Sequence, residues 1–137
     1  MRIVIKGQPP RTTHQSGTRY SKWGTYKTPA LKAAEQYFRD GLLLHKLQKP
    51  MEGPIRLHCE WRFKTSKKAE LGMYKTTRPD TDNMMKTVKD VMTDMGFWED
   101  DSQVCQESCT KIWSSDPGVT IDFEPLPDRK DNVYEID

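Results

Sequence analysis

Ile55-Arg56-Leu57-His58-Cys59-Glu60-Trp61-Arg62-Phe63-Lys64 alternates apolar and polar side chains without exception. Successive side chains of an extended chain point to opposite faces, so this pattern predicts a strand with one buried face and one wet, basic face. A half-buried strand needs a covering layer, and the flanking segments can supply it. Downstream, Met84, Met85, Val88, Val91, Met92 and Met95 fall within an arc of about 120° at roughly 100° per residue, which predicts a helix from about Thr81 to Met95. Asp82, Lys86, Lys89 and Thr93 line its opposite side, and Gly96 stands where a C′ residue is expected. Upstream, Thr28-Pro29 reads as an N-cap and first helical residue. That helix should run to about Gln48, with Leu31, Ala34, Phe38 and Leu42 on one stripe and Pro50 just beyond its end.

Ile3-Val4-Ile5 reads as a short first strand, ended by Gly7 and the Pro9-Pro10 pair. From there to Thr28 neither period appears, so a loop of roughly twenty residues is expected, and loops of that length are usually functional or disordered. It interleaves basic and aromatic residues from Arg19 to Lys27. Residues 65–79 read as a second loop. A strand from about Gln103 to Trp113, a turn at Ser114-Ser115-Asp116-Pro117-Gly118 and a last strand carrying Val119, Ile121 and Phe123 complete the chain. The order β-α-β-α-β-β has too few helices to cover both faces of a sheet. It implies a two-layer α+β domain over residues 1–127, one mixed sheet of about four strands with two helices on one face. Residues 128–137 read as a polar, flexible tail.

A length of 137 residues suits one domain with its own core. A hydrophobic fraction of 34% is low for that class, whereas four tryptophans argue against wholesale disorder. Long polar loops, or a core shared with a second copy, reconcile the two. No apolar run approaches the roughly 20 residues of a membrane span. Met1-Arg2-Ile3-Val4-Ile5-Lys6 is too short and too charged for a secretory signal, so a cytoplasmic chain with reduced Cys59, Cys105 and Cys109 is expected.

The net charge of +2 hides a strong segregation. Residues 1–34 hold seven basic side chains and no acid; residues 62–78 hold six basic side chains and one acid. Residues 80–107 hold eight acids and two lysines. Two basic blocks followed by an acidic one suit a polyanionic ligand only if divalent cations stand between its phosphates and the carboxylates. The first block supplies Arg11, Arg19, Lys22 and Lys27 as candidate DNA contacts, and the second supplies Lys67, Lys68, Lys75 and Arg78.

The acidic block opens with Arg78-Pro79-Asp80-Thr81-Asp82-Asn83-Met84-Met85-Lys86 and, one helix later, reads Gly96-Phe97-Trp98-Glu99-Asp100-Asp101. Asp80 lies in the extended approach to the helix and Asp82 in its first turn, so their carboxylates can converge on one ion. Lys86 follows one turn further on the same face. Residues 99–101 join this site if the strand they lead into lies beside Asp80. Hard oxygen ligands suit Mg²⁺, and two such ions can activate water and stabilise the leaving oxygen of a phosphodiester. Read singly, each piece has a plainer explanation: Asp-x-Asp before a helix is often N-cap chemistry, and paired acids after one are often loop surface. An EF-hand fits poorly, since Met84 occupies its third ligand position, and no P-loop, Rossmann or nucleophile-elbow pattern appears, so no organic cofactor is expected.

Arg78 to Lys86, a helix, and then Gly96 to Val104 together closely resemble the signature of the RusA family of Holliday junction resolvases, small endonucleases common in phages and prophages. The resemblance is strong over residues 78–104 and looser elsewhere. Pro9-Pro10 matches a family feature, whereas the following Arg11-Thr12-Thr13-His14-Gln15 departs from its common continuation. The resemblance implies a homodimer that nicks four-way DNA junctions symmetrically with Mg²⁺, Mn²⁺ being a substitute. It implies metal-site aspartates at Asp80, Asp82 and Asp101, with Asp100 ranking next, and an essential lysine at Lys86. Two rival functions share these features: a metal nuclease for flaps, single strands or RNA, and a module that binds junctions without cutting them.

Overall fold

The computed structural model describes residues 1–13, 17–127 and 129. Its elements in chain order are β1 (Arg2–Lys6), β2 (Thr18–Ser21), β3 (Gly24–Lys27), α1 (Pro29–Leu42), β4 (Ile55–Lys64), α2 (Thr81–Asp94), β5 (Val104–Ser114) and β6 (Gly118–Pro125). The chain is α+β, with a mixed four-stranded sheet in the order β1-β6-β4-β5 and a separate two-stranded sheet of β2 and β3. Central β4 runs antiparallel to β6 and parallel to β5. The parallel pair requires a crossover connection, which α2 provides.

The alternation in β4 puts Ile55, Leu57, Cys59, Trp61 and Phe63 in the core. Above them lie Phe38 and Leu42 of α1 and Met84, Met85, Val88, Val91 and Met92 of α2, so the methionine stripe of α2 is core packing. The opposite face of the sheet is polar, with Arg56 paired to Glu124 at 2.9 Å. Phe38 and Phe63 flank Trp61 at ring distances of 5.3 and 6.3 Å. The Trp61 Nε1 is buried without a hydrogen-bond partner among the described residues, which costs about 1–3 kcal/mol and is offset by the area the indole buries.

Several boundaries differ from the sequence reading. The expected loop before Thr28 contains the β2–β3 hairpin, which closes through Lys22-Trp23 with Gly24 at φ +116°. Its strands are four residues long and exposed, so they carry no apolar alternation to read. Thr28 does cap α1, accepting from the Leu31 amide at 3.3 Å, but α1 ends at Leu42, and Leu43–His45 tighten into a 3₁₀ turn. Exposed Leu43 and Leu44 extended the apolar pattern without packing. α2 ends at Asp94, with Gly96 at φ +80° in the C′ position. Asp101–Gln103 form a 3₁₀ turn, so β5 starts at Val104. The 65–79 segment carries a 3₁₀ turn at Lys68–Glu70 and then joins the β5 edge, where Trp113 donates to the Met73 carbonyl and Lys75 to the Lys111 carbonyl, both at 2.9 Å. The expected tail lies outside the described residues except for Arg129. Among the described residues, no helix is long and apolar enough to cross a membrane.

Candidate active site

Asp80 occupies the N-cap position of α2 with an extended backbone (φ −78°, ψ 144°). An N-cap aspartate ordinarily accepts from the amide two or three residues on. Asp80 does not: its backbone carbonyl accepts from the Met84 amide at 3.1 Å, but neither its carboxylate nor that of Asp82 makes a hydrogen bond or ion pair with any described residue. Both carboxylates are exposed at the positive end of the α2 dipole. The capping explanation for the Asp-x-Asp spacing therefore does not hold.

Two lysines fix the approach to Asp80. Lys111 Nζ, on β5, donates to the carbonyls of Thr77 and Pro79, both at 2.8 Å. Lys75 Nζ donates to the intervening Arg78 carbonyl at 2.6 Å and to the Thr77 hydroxyl. Three successive carbonyls are thus held by two ammonium groups, across a cis Arg78–Pro79 peptide. Because Lys111 lies on β5, the strand that follows the second acidic cluster does run beside the segment leading to Asp80.

Lys75 is only 5% exposed, and its ammonium lies 4.7 Å from the Trp113 ring and 5.2 Å from that of Phe63. Burial lowers its pKa, and the nearby cations Arg11 and Lys111 lower it further. This corrects its reading as a DNA contact: its charge is turned inward, because carbonyls and ring faces replace the water it loses. The other candidate contacts are exposed. Arg11, Arg19, Lys22, Lys67, Lys68 and Arg78 all face solvent. Lys67 stands 3.9 Å from Glu70, and Lys27 binds the buried Glu35 at 2.8 Å, which anchors the hairpin to α1.

Lys86 projects from α2 one turn beyond Asp82. Its ammonium donates to Asp90 Oδ1 at 2.9 Å and lies 3.9 Å from Asp101 Oδ2. The Asp90 hydrogen bond raises its pKa, partial burial opposes that shift, and the charges of Asp90 and Asp101 add to it. Lys86 is therefore a cationic donor at neutral pH and not a base. Sequence reasoning missed Asp90, although its spacing of four residues from Lys86 was a readable signal. It also missed Lys111, whose partners lie 32 and 34 residues away and leave no local pattern.

The two acids of the second cluster diverge. Asp100 caps the 3₁₀ turn, accepting from the Ser102 amide at 2.9 Å, while Gln103 Oε1 accepts from the Asp100 amide at 3.1 Å. The Ser102 amide holds the Asp100 carboxyl below its ordinary pKa. Asp101 turns towards Lys86. Two shallow depressions carry residues of this site. One is lined by Thr81, Asp82, Met85, Glu107, Ser108 and Cys109. The other contains Asp90, Asp94, Glu99, Asp100 and Asp101, with Lys27 on its rim.

Among the described residues, no three His, Cys, Asp or Glu side chains gather closely enough to enclose a metal ion. Mg²⁺ seldom uses such a cage; it keeps several waters and takes one or two carboxylates together with substrate phosphate. The uncommitted oxygens of Asp80 and Asp82 suit that mode, and they are hard donors. Burial pushes the Cys59 thiol up and that of Cys109 up to about 12, so neither of these two suits metal or nucleophile chemistry.

A family model described as endodeoxyribonuclease RusA matches residues 7–124. The chain belongs to the RusA family. The crossover junction endodeoxyribonuclease rusA of Lactococcus phage r1t is 34% identical over 59 residues, 43% of this chain and 45% of that protein. The uncharacterized protein YqaN of Bacillus subtilis (strain 168) is 41% identical over 59 residues, 42% of this chain and 41% of that protein. The chain thus spans less than half the length of the curated relatives it matches. The RusA match takes in Asp80, Asp82, Lys86, Asp101, the lysine clamp and the β2–β3 hairpin.

Proposed function

We propose that this chain is a DNA endonuclease that nicks four-way junctions, acting as a homodimer with Mg²⁺ or Mn²⁺. The observation that carries the reading is the position of Lys86, a charged donor held by Asp90 on the helix face that begins with two uncommitted carboxylates, 3.9 Å from Asp101. Family membership supports it, as does the similarity to the phage r1t crossover junction endodeoxyribonuclease.

Asp80 and Asp82 are the residues that would hold the cation together with substrate phosphate, and Asp101, also expected at the metal, stands 3.9 Å from Lys86. When bound, it supplies Lewis acidity towards a scissile phosphodiester and towards water. The protein's own part is positional and electrostatic. Lys75 and Lys111 fix the approach to α2, Asp90 orients Lys86, and the Lys86 ammonium offers a proton donor to negative charge growing on the phosphate. Arg11, Lys67, Lys68 and Arg78 are cations that suit the flanking phosphates and set register without reading sequence. A four-way junction has approximate two-fold symmetry and needs two matched cuts, which a two-fold dimer delivers.

Competition among junction, linear duplex, flap, single strand and RNA, with Mg²⁺ present, tests the substrate. Junction should be cut first and in two symmetric places. Asp82→Asn should bind junction and fail to cut it; an Asp82→Asn protein that is folded and as fast as wild type removes the assigned site.

A further inference from the structure

The β2–β3 hairpin contributes nothing to the core, yet it carries three exposed aromatic rings. Trp23 is 87% exposed, Tyr20 83% and Tyr26 55%, whereas Trp61 and Trp98 are each 1% exposed. A two-stranded hairpin is marginal in water by itself, and so many wet rings on one short element need a reason. Its base is fixed: the Thr28 amide donates to the Gly17 carbonyl at 2.9 Å, and Lys27 binds Glu35 at 2.8 Å. Its tip is also ordered from within. The Ser21 hydroxyl accepts from the Trp23 amide at 3.2 Å and donates to the Gly24 carbonyl at 3.1 Å, while Lys22 Nζ lies 5.0 Å from the Trp23 ring centre.

We infer that this hairpin is a base-stacking finger: Trp23 at its tip takes an unstacked nucleobase of the DNA while Lys22 and Arg19 meet the adjoining phosphates. The inference rests on the proposed junction-cutting function and extends it to how an unstacked base is recognised. Charge complementarity selects this occupant, since residues 1–34 contain seven basic side chains and no acid. Exposed aromatic rings combined with cations are what binding of unpaired strands uses, because every base offers a face for stacking. Placement agrees as well. Lys27, at the base of β3, rims the depression that holds Asp101. Four residues at about 3.3 Å each carry the tip about 13 Å beyond it, roughly four nucleotide steps. A continuous duplex covers both faces of every base; the centre of a four-way junction, where stacking between arms is interrupted, exposes base faces.

Binding is measured without divalent cation, so that the metal site plays no part, on a four-way junction and on a fully paired duplex of equal length. Trp23→Ala should weaken junction binding about tenfold and duplex binding less than about twofold, and Trp23→Phe should keep most of the junction affinity. Added junction should shield wild-type tryptophan emission from acrylamide, and that gain should vanish in Trp23→Phe. The inference is overturned if Trp23→Ala binds junction as wild type does, if it loses junction and duplex affinity equally, or if it changes self-association and not DNA binding. A wild-type protein with no preference for junction overturns the proposed function and this inference together; a preference that survives Trp23→Ala removes only the finger.

Discussion

The Lys86 ammonium stands 3.9 Å from Asp101 Oδ2, which joins the acidic residues after α2 to the helix face that Asp82 begins. At that distance the pair is a long-range ion pair and not a hydrogen bond, so Lys86 keeps donor capacity for a phosphate. Lys86→Gln removes the charge and keeps most of the volume. Cutting of a bound junction should fall about 10²–10³-fold, with little change in affinity. The thermal midpoint should hardly move, since exposed ion pairs contribute about 0–1 kcal/mol. Single-turnover cleavage and a melt on the same preparation check both.

Asp90 acts through Lys86 and is a positioning residue. Asp90→Asn removes the carboxylate that raises the Lys86 pKa, so the alkaline limb of the cleavage–pH profile should move to lower pH. The rate on its plateau should fall about tenfold as Lys86 loses its fixed direction. The raised pKa also has a stability consequence. The Lys86–Asp90 contribution is complete below the usual lysine value of 10.5 and is lost as pH rises through the raised one. Wild type and Asp90→Asn should therefore converge in stability at strongly alkaline pH.

Asp100 and Asp101 are adjacent and should separate cleanly on mutation. Asp100→Ala removes the cap on the 3₁₀ turn, so it should lower the thermal midpoint and leave the cutting step intact. The Asp100 carboxyl titrates below its usual 3.8 in the folded chain, so its contribution is present above that pH and is lost as pH falls through the lowered value. Asp101→Asn should do the reverse, abolishing cleavage with little effect on the melt. Identical phenotypes for the two variants contradict the assignment.

Lys111 tests the clamp on the approach to α2. Lys111→Met leaves the Thr77 and Pro79 carbonyls without their donor. Urea unfolding should show a loss of about 1–3 kcal/mol. Cutting should fall about tenfold or more, because Asp80 follows those carbonyls directly, while junction affinity stays near wild type. Lys111→Arg, which can still donate to both carbonyls, should recover most of the rate.

How much was legible in advance depended on the range of the cause. The β4 alternation, the Thr28 cap, the Gly96 stop and the apolar stripe of α2 arise within one or two turns or strand steps, and each appears as read. The hairpin was not legible, because its exposed four-residue strands have no buried face to impose a period. The pairing of the 72–75 segment with β5 was not legible either, since it brings together residues more than 35 positions apart. Lys75 shows the limit for charge: a lysine in a basic run reads as surface, and only the rings of Phe63 and Trp113 and the Arg78 carbonyl reveal it as interior.

By itself the sequence determined the alternation of β4, the apolar stripe of α2, where the basic and acidic blocks lie, and that Asp80, Asp82 and Lys86 share one end of one helix. Those are consequences of backbone geometry, in which side-chain direction follows from spacing alone. The tertiary structure decided that β5 lies parallel to β4, that Asp101 and not Asp100 turns to Lys86, and that Lys111 holds the approach to Asp80. Each of these depends on which distant segments meet, and that is set by burying one shared core rather than by any pattern along the chain.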